Sequence, residues 1–169
     1  LMPFVGASPA PKLLEIGIGC HKHGSGQPWI RPLWLDLLPG AEVWMADYKK
    51  PCAEHGLKSG LLRGVTGTMH GDQGDPAVIA RWVRESGGRF DVVVDAGGHT
   101  NRQIKTTHDG LWPTLKRGGF YFIVDLQGGR DRYAIDADQA TWPPVSGLLQ
   151  SWLEELVITN RKAARPAYP

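Results

Sequence analysis

In this 169-residue chain, acidic residues stand where apolar runs break off. Glu15-Ile16-Gly17-Ile18-Gly19 places a carboxylate before a Gly-x-Gly turn, and Asp47 closes a second apolar run. Gly71-Asp72-Gln73-Gly74-Asp75, Asp95-Ala96-Gly97-Gly98-His99 and Asp125 follow in the same manner. Paired glycines let the backbone turn sharply and approach a ligand closely. A dinucleotide fingerprint needs a third glycine three positions after the second, but that place holds Lys22 and the next glycine is Gly24, which disfavours NAD and FAD. No Gly-Lys-Ser or Gly-Lys-Thr phosphate loop occurs either. A ligand with an adenosine and no phosphate fits better. An acidic edge favours a sulfonium and an ammonium, and Asp47 can accept from both hydroxyls of a ribose diol.

These residues need strands that end side by side. A buried strand over 12–16 stops at the Gly-x-Gly turn. Pro32 opens a short helix whose inward stripe is Leu33, Trp34, Leu37 and Leu38, stopped by Pro39-Gly40. A second strand spans 42–46, and a third lies within 65–70. Asp75 caps the next helix, with Pro76 in its first turn and Val78, Ile79, Trp82 and Val83 on one face, ended by Gly87-Gly88. A strand over 90–94 stops at Asp95. Thr100 and Gln103 form a capping box for a helix running through Ile104, Thr107, Leu111 and Leu115, kinked by Pro113 and closed by Gly118-Gly119. A strand over 120–124 and a helix over 146–156 complete the pattern. Strands apolar on both faces and separated by helices belong to a parallel sheet covered on both sides, a doubly wound α/β domain. Such sheets bind ligands beyond the carboxyl ends of their strands.

Composition agrees with one globular domain: 41% hydrophobic and 21% charged residues, with a formal charge of +2. That charge is too small and scattered for a nucleic-acid footprint. Cys20 and Cys52 form no Cys-x-x-Cys pair and read as reduced thiols of a cytoplasmic protein. No run approaches the roughly 18 apolar residues of a membrane span, and residues 1–11 lack a signal-peptide pattern. Neither nucleic acid nor membrane is expected as a partner, and homo-oligomer formation stays open.

The ordered set from Glu15 to Asp125 resembles the successive motifs of class I S-adenosylmethionine-dependent methyltransferases. More narrowly it is similar to the macrocin-type sugar O-methyltransferases and their cephalosporin-hydroxylase-like relatives. The resemblance implies a Rossmann-like, mostly parallel sheet over residues 12–169, with residues 1–11 as an N-terminal extension. It implies that Glu15, Gly17, Gly19, Asp47, Asp72, Gln73 and Asp95 serve S-adenosyl-L-methionine: the glycines by the methionine part, Asp47 on ribose, Asp72 and Gln73 near adenine. Asp95 would border the transfer site, and His99 would take the proton of a small-molecule hydroxyl acceptor such as a natural-product sugar. The family pattern also has acids where this chain has Ala96 and Val124, so of its Mg2+ ligands only Asp125 is retained. That disfavours a bound metal, because magnesium demands a near-octahedral set of oxygens. A complete fold of this class ends in an antiparallel strand pair. Residues 157–169 are too few for it, so the sheet is expected to lack its last two strands.

Blander readings accompany these. The glycines could form only a strand-to-helix turn, Asp72 and Gln73 a tight turn, and His99 a polar approach to a helix. His21 and His23 lack a third metal ligand. Trp29 sits in the loop nearest the ligand, and Arg130-Asp131-Arg132 is a solvated loop. The rival to an active O-methyltransferase is a catalytically impaired cofactor-binding or protein-interaction domain.

Overall fold

A computed structural model describes residues 10–19, 33–127, 142 and 144–158. The expectations for Cys20, His21, His23, Trp29, Pro32 and Arg130-Asp131-Arg132, and for residues 1–9 and 159–169, lie outside the described residues.

Five strands form one sheet in the order β3-β2-β1-β4-β5: β1 (Lys12–Ile16), β2 (Glu42–Asp47), β3 (Gly67–His70), β4 (Phe90–Asp95) and β5 (Leu115–Ile123). Every pairing is parallel, with Ile16 beside both Ala46 and Asp95. The helices are α1 (Leu33–Leu37), α2 (Lys50–Lys58), α3 (Pro76–Ser86), α4 (Asn101–Leu111) and α5 (Val145–Ile158), with a 3-10 turn at Trp112–Thr114. Alternation along the strands builds two cores. Leu13, Val43, Met45 and Val92 pack on one face with Cys52 and Ala53 of α2, whereas Leu14, Ile16, Ala46 and Val93 pack on the other with Ile79, Trp82 and Leu111. The doubly wound α/β architecture expected from the sequence is what forms. Among the described residues no strand pairs with the outer edge of β5.

Several local expectations change. On α1, Leu33 and Leu37 are exposed, and Trp34, Leu35 and Leu38 face the core. Helix α4 stops at Leu111 rather than reaching Leu115, because Pro113 has no N–H to continue the α ladder and the chain tightens into the 3-10 turn. Gly118-Gly119 closes no helix. It lies within β5, where the register shifts between Phe90 and Val92 and Gly118 takes φ +78°. Helix α2 was not foreseen. Its buried side is Cys52, Ala53 and Gly56, residues too small to write an apolar stripe into the sequence. Cys52 is disulfide-bonded and not the reduced thiol expected. Among the described residues no helix is long and apolar enough to cross a membrane.

Candidate functional site

The chain reverses its winding between β1 and β4, and the turn after each strand shapes the crevice there. Gly17 sits at φ +100°, and a β-carbon on it would lie 2.4 Å from the carbonyl oxygen of Ala96. Its amide donates to Ala46 O at 2.8 Å, and the Ala96 amide donates to Ile16 O at 3.0 Å. Three strand ends are thus drawn together by a residue that must be glycine. Gly97 is similarly confined, since a β-carbon would fall 2.1 Å from Gln73 Oε1.

Asp47 lies at the end of β2 and is 4% exposed. Its Oδ2 accepts from the Ile18 amide and its Oδ1 from the Lys49 amide, both at 3.0 Å. A carboxylate has about four lone-pair sites, so each oxygen retains acceptor capacity. Asp72 is more fully engaged. Its Oδ1 accepts from Gly74 N at 2.8 Å and Gln103 Nε2 at 3.3 Å, and its Oδ2 pairs with Arg102 Nη2 at 2.9 Å. Partial burial pushes its carboxyl upward, but those donors outweigh burial and hold it below the ordinary range. Gln73, 5% exposed, donates from Nε2 to Asp95 Oδ1 at 2.9 Å and to Thr107 Oγ1 at 3.1 Å, while its Oε1 accepts from the Gly98 amide at 2.7 Å. This amide ties the loop after β3 to the loop after β4 and to α4.

A cleft of about 540 Å³ opens between these turns, lined by Gly17, Gly19, Asp47, Asp72, Gln73 and His99 among others. That volume suits a nucleoside-sized ligand. Two of the expected cofactor residues are not in its lining. Glu15 accepts from Trp34 Nε1 at 3.0 Å, and burial raises its carboxyl despite that bond. Asp95 is only 2% exposed, is pushed up to about 6 by burial, and has an Oδ2 with no hydrogen-bond partner. Glu15 is instead held by the Trp34 indole of α1, and Asp95 is buried against the Gln73 amide. The sequence reading did not single out Tyr48 or Arg102, which also line the cleft. Adjacency to Asp47 was the available sign for Tyr48. Position three residues after His99, in the first turn of α4, was the sign for Arg102. Gln103, read only as half of a capping box, is that and a partner of Asp72 as well.

His99 enters the cleft at the amino end of α4, and its Nε2 lies 3.8 Å from Asp125 Oδ2. Asp125 is itself held by Gln127 Nε2 at 3.2 Å.

No protein-family model matches the chain. It is 29% identical, over 94% of its length and 39% of the relative's, to an 8-demethyl-8-(2-methoxy-alpha-L-rhamnosyl)-tetracenomycin-C 3'-O-methyltransferase of Streptomyces olivaceus. It is 31% identical to the demethylmacrocin O-methyltransferase of Streptomyces fradiae over 68% of this chain and 27% of that one. Among solved structures it superposes on the MycE methyltransferase from the mycinamycin biosynthetic pathway, in complex with Mg and SAH, with a TM-score of 0.68 and 26% identity over 95% of this chain and 39% of that one. The chain therefore spans about two fifths or less of the length of these relatives.

Gly17 and Gly97 let the turns after β1 and β4 pack closely against Ala96 and Gln73, and the cleft so shaped, lined by Asp47 and open to a nucleoside-sized group, fits a nucleoside thioether or sulfonium. The magnesium of the MycE complex is not matched by the side chains present. Ala96 and Val124 offer no oxygen beside Asp125, and among the described residues no three His, Cys, Asp or Glu side chains gather to hold a metal.

Proposed function

Since this chain is a relative of the macrocin-type sugar O-methyltransferases and has their class I S-adenosylmethionine-dependent fold, we propose that it takes part in methyl transfer from S-adenosylmethionine to a sugar hydroxyl of a glycosylated natural product. The observation that carries this reading is the presence in one cleft of the Gly17 and Gly97 turns, the Asp47 carboxylate and the His99 imidazole. Gly17 and Gly19 would admit the methionine portion, and Asp47 would accept from the ribose hydroxyls through its remaining lone pairs. Tyr48, 62% exposed at the rim, offers a ring face to the adenine. Asp72 and Gln73 would act chiefly by fixing the loops around it. The bound cofactor supplies an electrophilic methyl group activated by positive sulfur. His99 supplies the base, since a neutral hydroxyl is a poor nucleophile until a positioned group takes its proton.

The acceptor class follows the relatives, two of which are named for methylating rhamnosyl and olivosyl compounds. Calorimetric titration with S-adenosylmethionine and S-adenosylhomocysteine should show saturable, mutually competitive binding. Absence of binding by both would remove the proposal. Binding without radiolabel transfer to rhamnosylated or olivosylated acceptors would favour a domain that holds the cofactor without catalysis.

A further inference from the structure

The turn after β3 is tied to the first turn of α4 chiefly by Arg102, which grips it at two points. Arg102 Nη1 donates to Gly74 O and Nη2 to Asp72 Oδ2, both at 2.9 Å. Gly74 is pressed against the same guanidinium, since a β-carbon there would lie 2.7 Å from Arg102 Cζ and 2.9 Å from Nη2. Gly74 is not among the glycines with positive φ. What opposes a side chain at 74 is therefore Arg102 and not the backbone. Asp72 and Arg102 both line the cleft, and they divide its electrostatics. Asp47 is met by neutral amides, whereas the charge of Asp72 is matched by a cation. The cleft is acidic at the end of β2 and carries a paired, balanced charge at the turn after β3.

Resting on the methyl-transfer reading, we infer that Arg102 is a positioning residue for the nucleoside of the cofactor. Forked onto Asp72 and Gly74, it fixes the turn after β3 as a wall of no net charge for the base, and Gly74 lacks a side chain to admit it. A purine base is planar and uncharged. An unpaired carboxylate under it would lose its water with nothing to replace it, and that cost would be taken from binding. The guanidinium removes the cost and fixes orientation as well as charge, because its planar fork reaches a carboxylate oxygen and a carbonyl oxygen together. A lysine can supply the charge but not the fork. A turn pinned before the ligand arrives also loses less freedom on binding, and that preorganisation returns as affinity. Arg102 acts through Asp72 and Gly74 on binding of the nucleoside, whereas His99, three residues earlier, serves the acceptor.

Calorimetric titration of the full chain with S-adenosylhomocysteine tests this in four variants, with denaturation of the same samples giving the folded fraction. Arg102→Ala should weaken binding about tenfold, the scale of a lost pair of charge-assisted hydrogen bonds. Arg102→Lys, which keeps the charge and loses the fork, should stay weakened by roughly threefold or more. Gly74→Ala should weaken binding about tenfold in the native background, because its methyl group displaces the guanidinium. In the Arg102→Ala background the same methyl group meets open space, so the double variant should bind within about twofold of Arg102→Ala alone, a non-additivity that marks one shared device. A role in folding alone would lower the denaturation midpoints and leave the folded molecules with native affinity. Native affinity in Arg102→Lys or Gly74→Ala, or additive losses in the double variant, overturns the positioning role while cofactor binding by the native chain stands. Should Arg102→Ala not fold, Arg102→Lys and Gly74→Ala decide by the same criterion. Failure of the native chain to bind S-adenosylhomocysteine sinks the methyl-transfer reading instead.

Discussion

At the amino ends of the strands the carboxylates of Glu42 and Asp91 meet cations, whereas at the carboxyl ends those of Asp47 and Asp95 meet none among the described residues. Lys12 pairs with Glu42 at 2.9 Å, and Lys116 pairs with Asp91 at 2.7 Å, where the Lys12 amide also donates. Slight burial pushes Glu42 up, but the Trp44 indole, Lys12 and Lys116 outweigh it and hold the group below its ordinary value. Around the cleft the donors are backbone amides and the side-chain amide of Gln73. Neutral donors satisfy an anion's geometry without cancelling its charge. The closed end therefore holds the sheet together, and the open end keeps a negative field that a sulfonium and an ammonium can answer. Asp72 with Arg102 is the exception at the cleft, and it is the acid most fully committed to holding a loop.

Four substitutions test that contrast, the most damaging first. Gly17→Ala puts a methyl group against the Ala96 carbonyl at a positive φ, which should cost roughly 4 kcal/mol by adding strain to overpacking and abolish S-adenosylhomocysteine binding. Denaturation and calorimetry read both, and a variant with native stability and affinity would mean the strand ends do not meet as described. Asp95→Asn should act in the opposite direction. The folded carboxyl protonates near 6 against an ordinary 3.8, so the native state holds its proton more tightly than the unfolded chain. The penalty is absent below about pH 4, accumulates as pH rises toward 6, and is complete above. The asparagine variant should therefore gain stability over the native chain by an amount on the order of 3 kcal/mol at pH 8 and by nothing through this group at pH 3.5. A stability difference flat across that range would show that Asp95 is not a buried, uncompensated acid.

Gln73→Ala removes the donor to Asp95 and Thr107 and the acceptor of the Gly98 amide, so about 2 kcal/mol of stability should be lost along with cofactor affinity. Unaltered affinity would detach the β3 loop from the site. At the closed end, Lys116→Met should change stability by only about 0.5 kcal/mol, since the lysine is a third exposed and its pair partly screened. It should leave cofactor binding as it is; a weakened site would blur the distinction between the two ends.

Much of the architecture was legible because its signals are local. The Asp75 cap is formed by the Ala77 amide at 2.8 Å, and the Thr100–Gln103 box is present with both of its hydrogen bonds. Gly87 ends α3 in the left-handed conformation expected of it. Helix α2 was illegible because small buried residues leave no periodic stripe, though Pro51 at its start and the Lys50–Glu54 pair at 3.6 Å were signs of it. The start of β5 was missed because Leu115-Lys116-Arg117 reads as a continuation of α4 until the bulge opposite Asp91 is known. In the site, Gly17, Gly19, Asp47 and His99 could be singled out from their places after apolar runs. The inward burial of Asp95 and the withdrawal of Glu15 onto Trp34 could not.

Linear order alone determined the alternation of strands and helices, and with it a parallel sheet and a ligand crevice at the strands' carboxyl ends, because periodicity and caps act over a few residues. Only the tertiary structure decided which carboxylates line that crevice and which do not. It also decided that Asp125 turns to His99 rather than toward a set of metal ligands. Those outcomes depend on groups as far apart in sequence as Gln73 and Thr107, or His99 and Asp125, whose meeting is set by packing of whole elements and leaves no mark on the neighbouring residues.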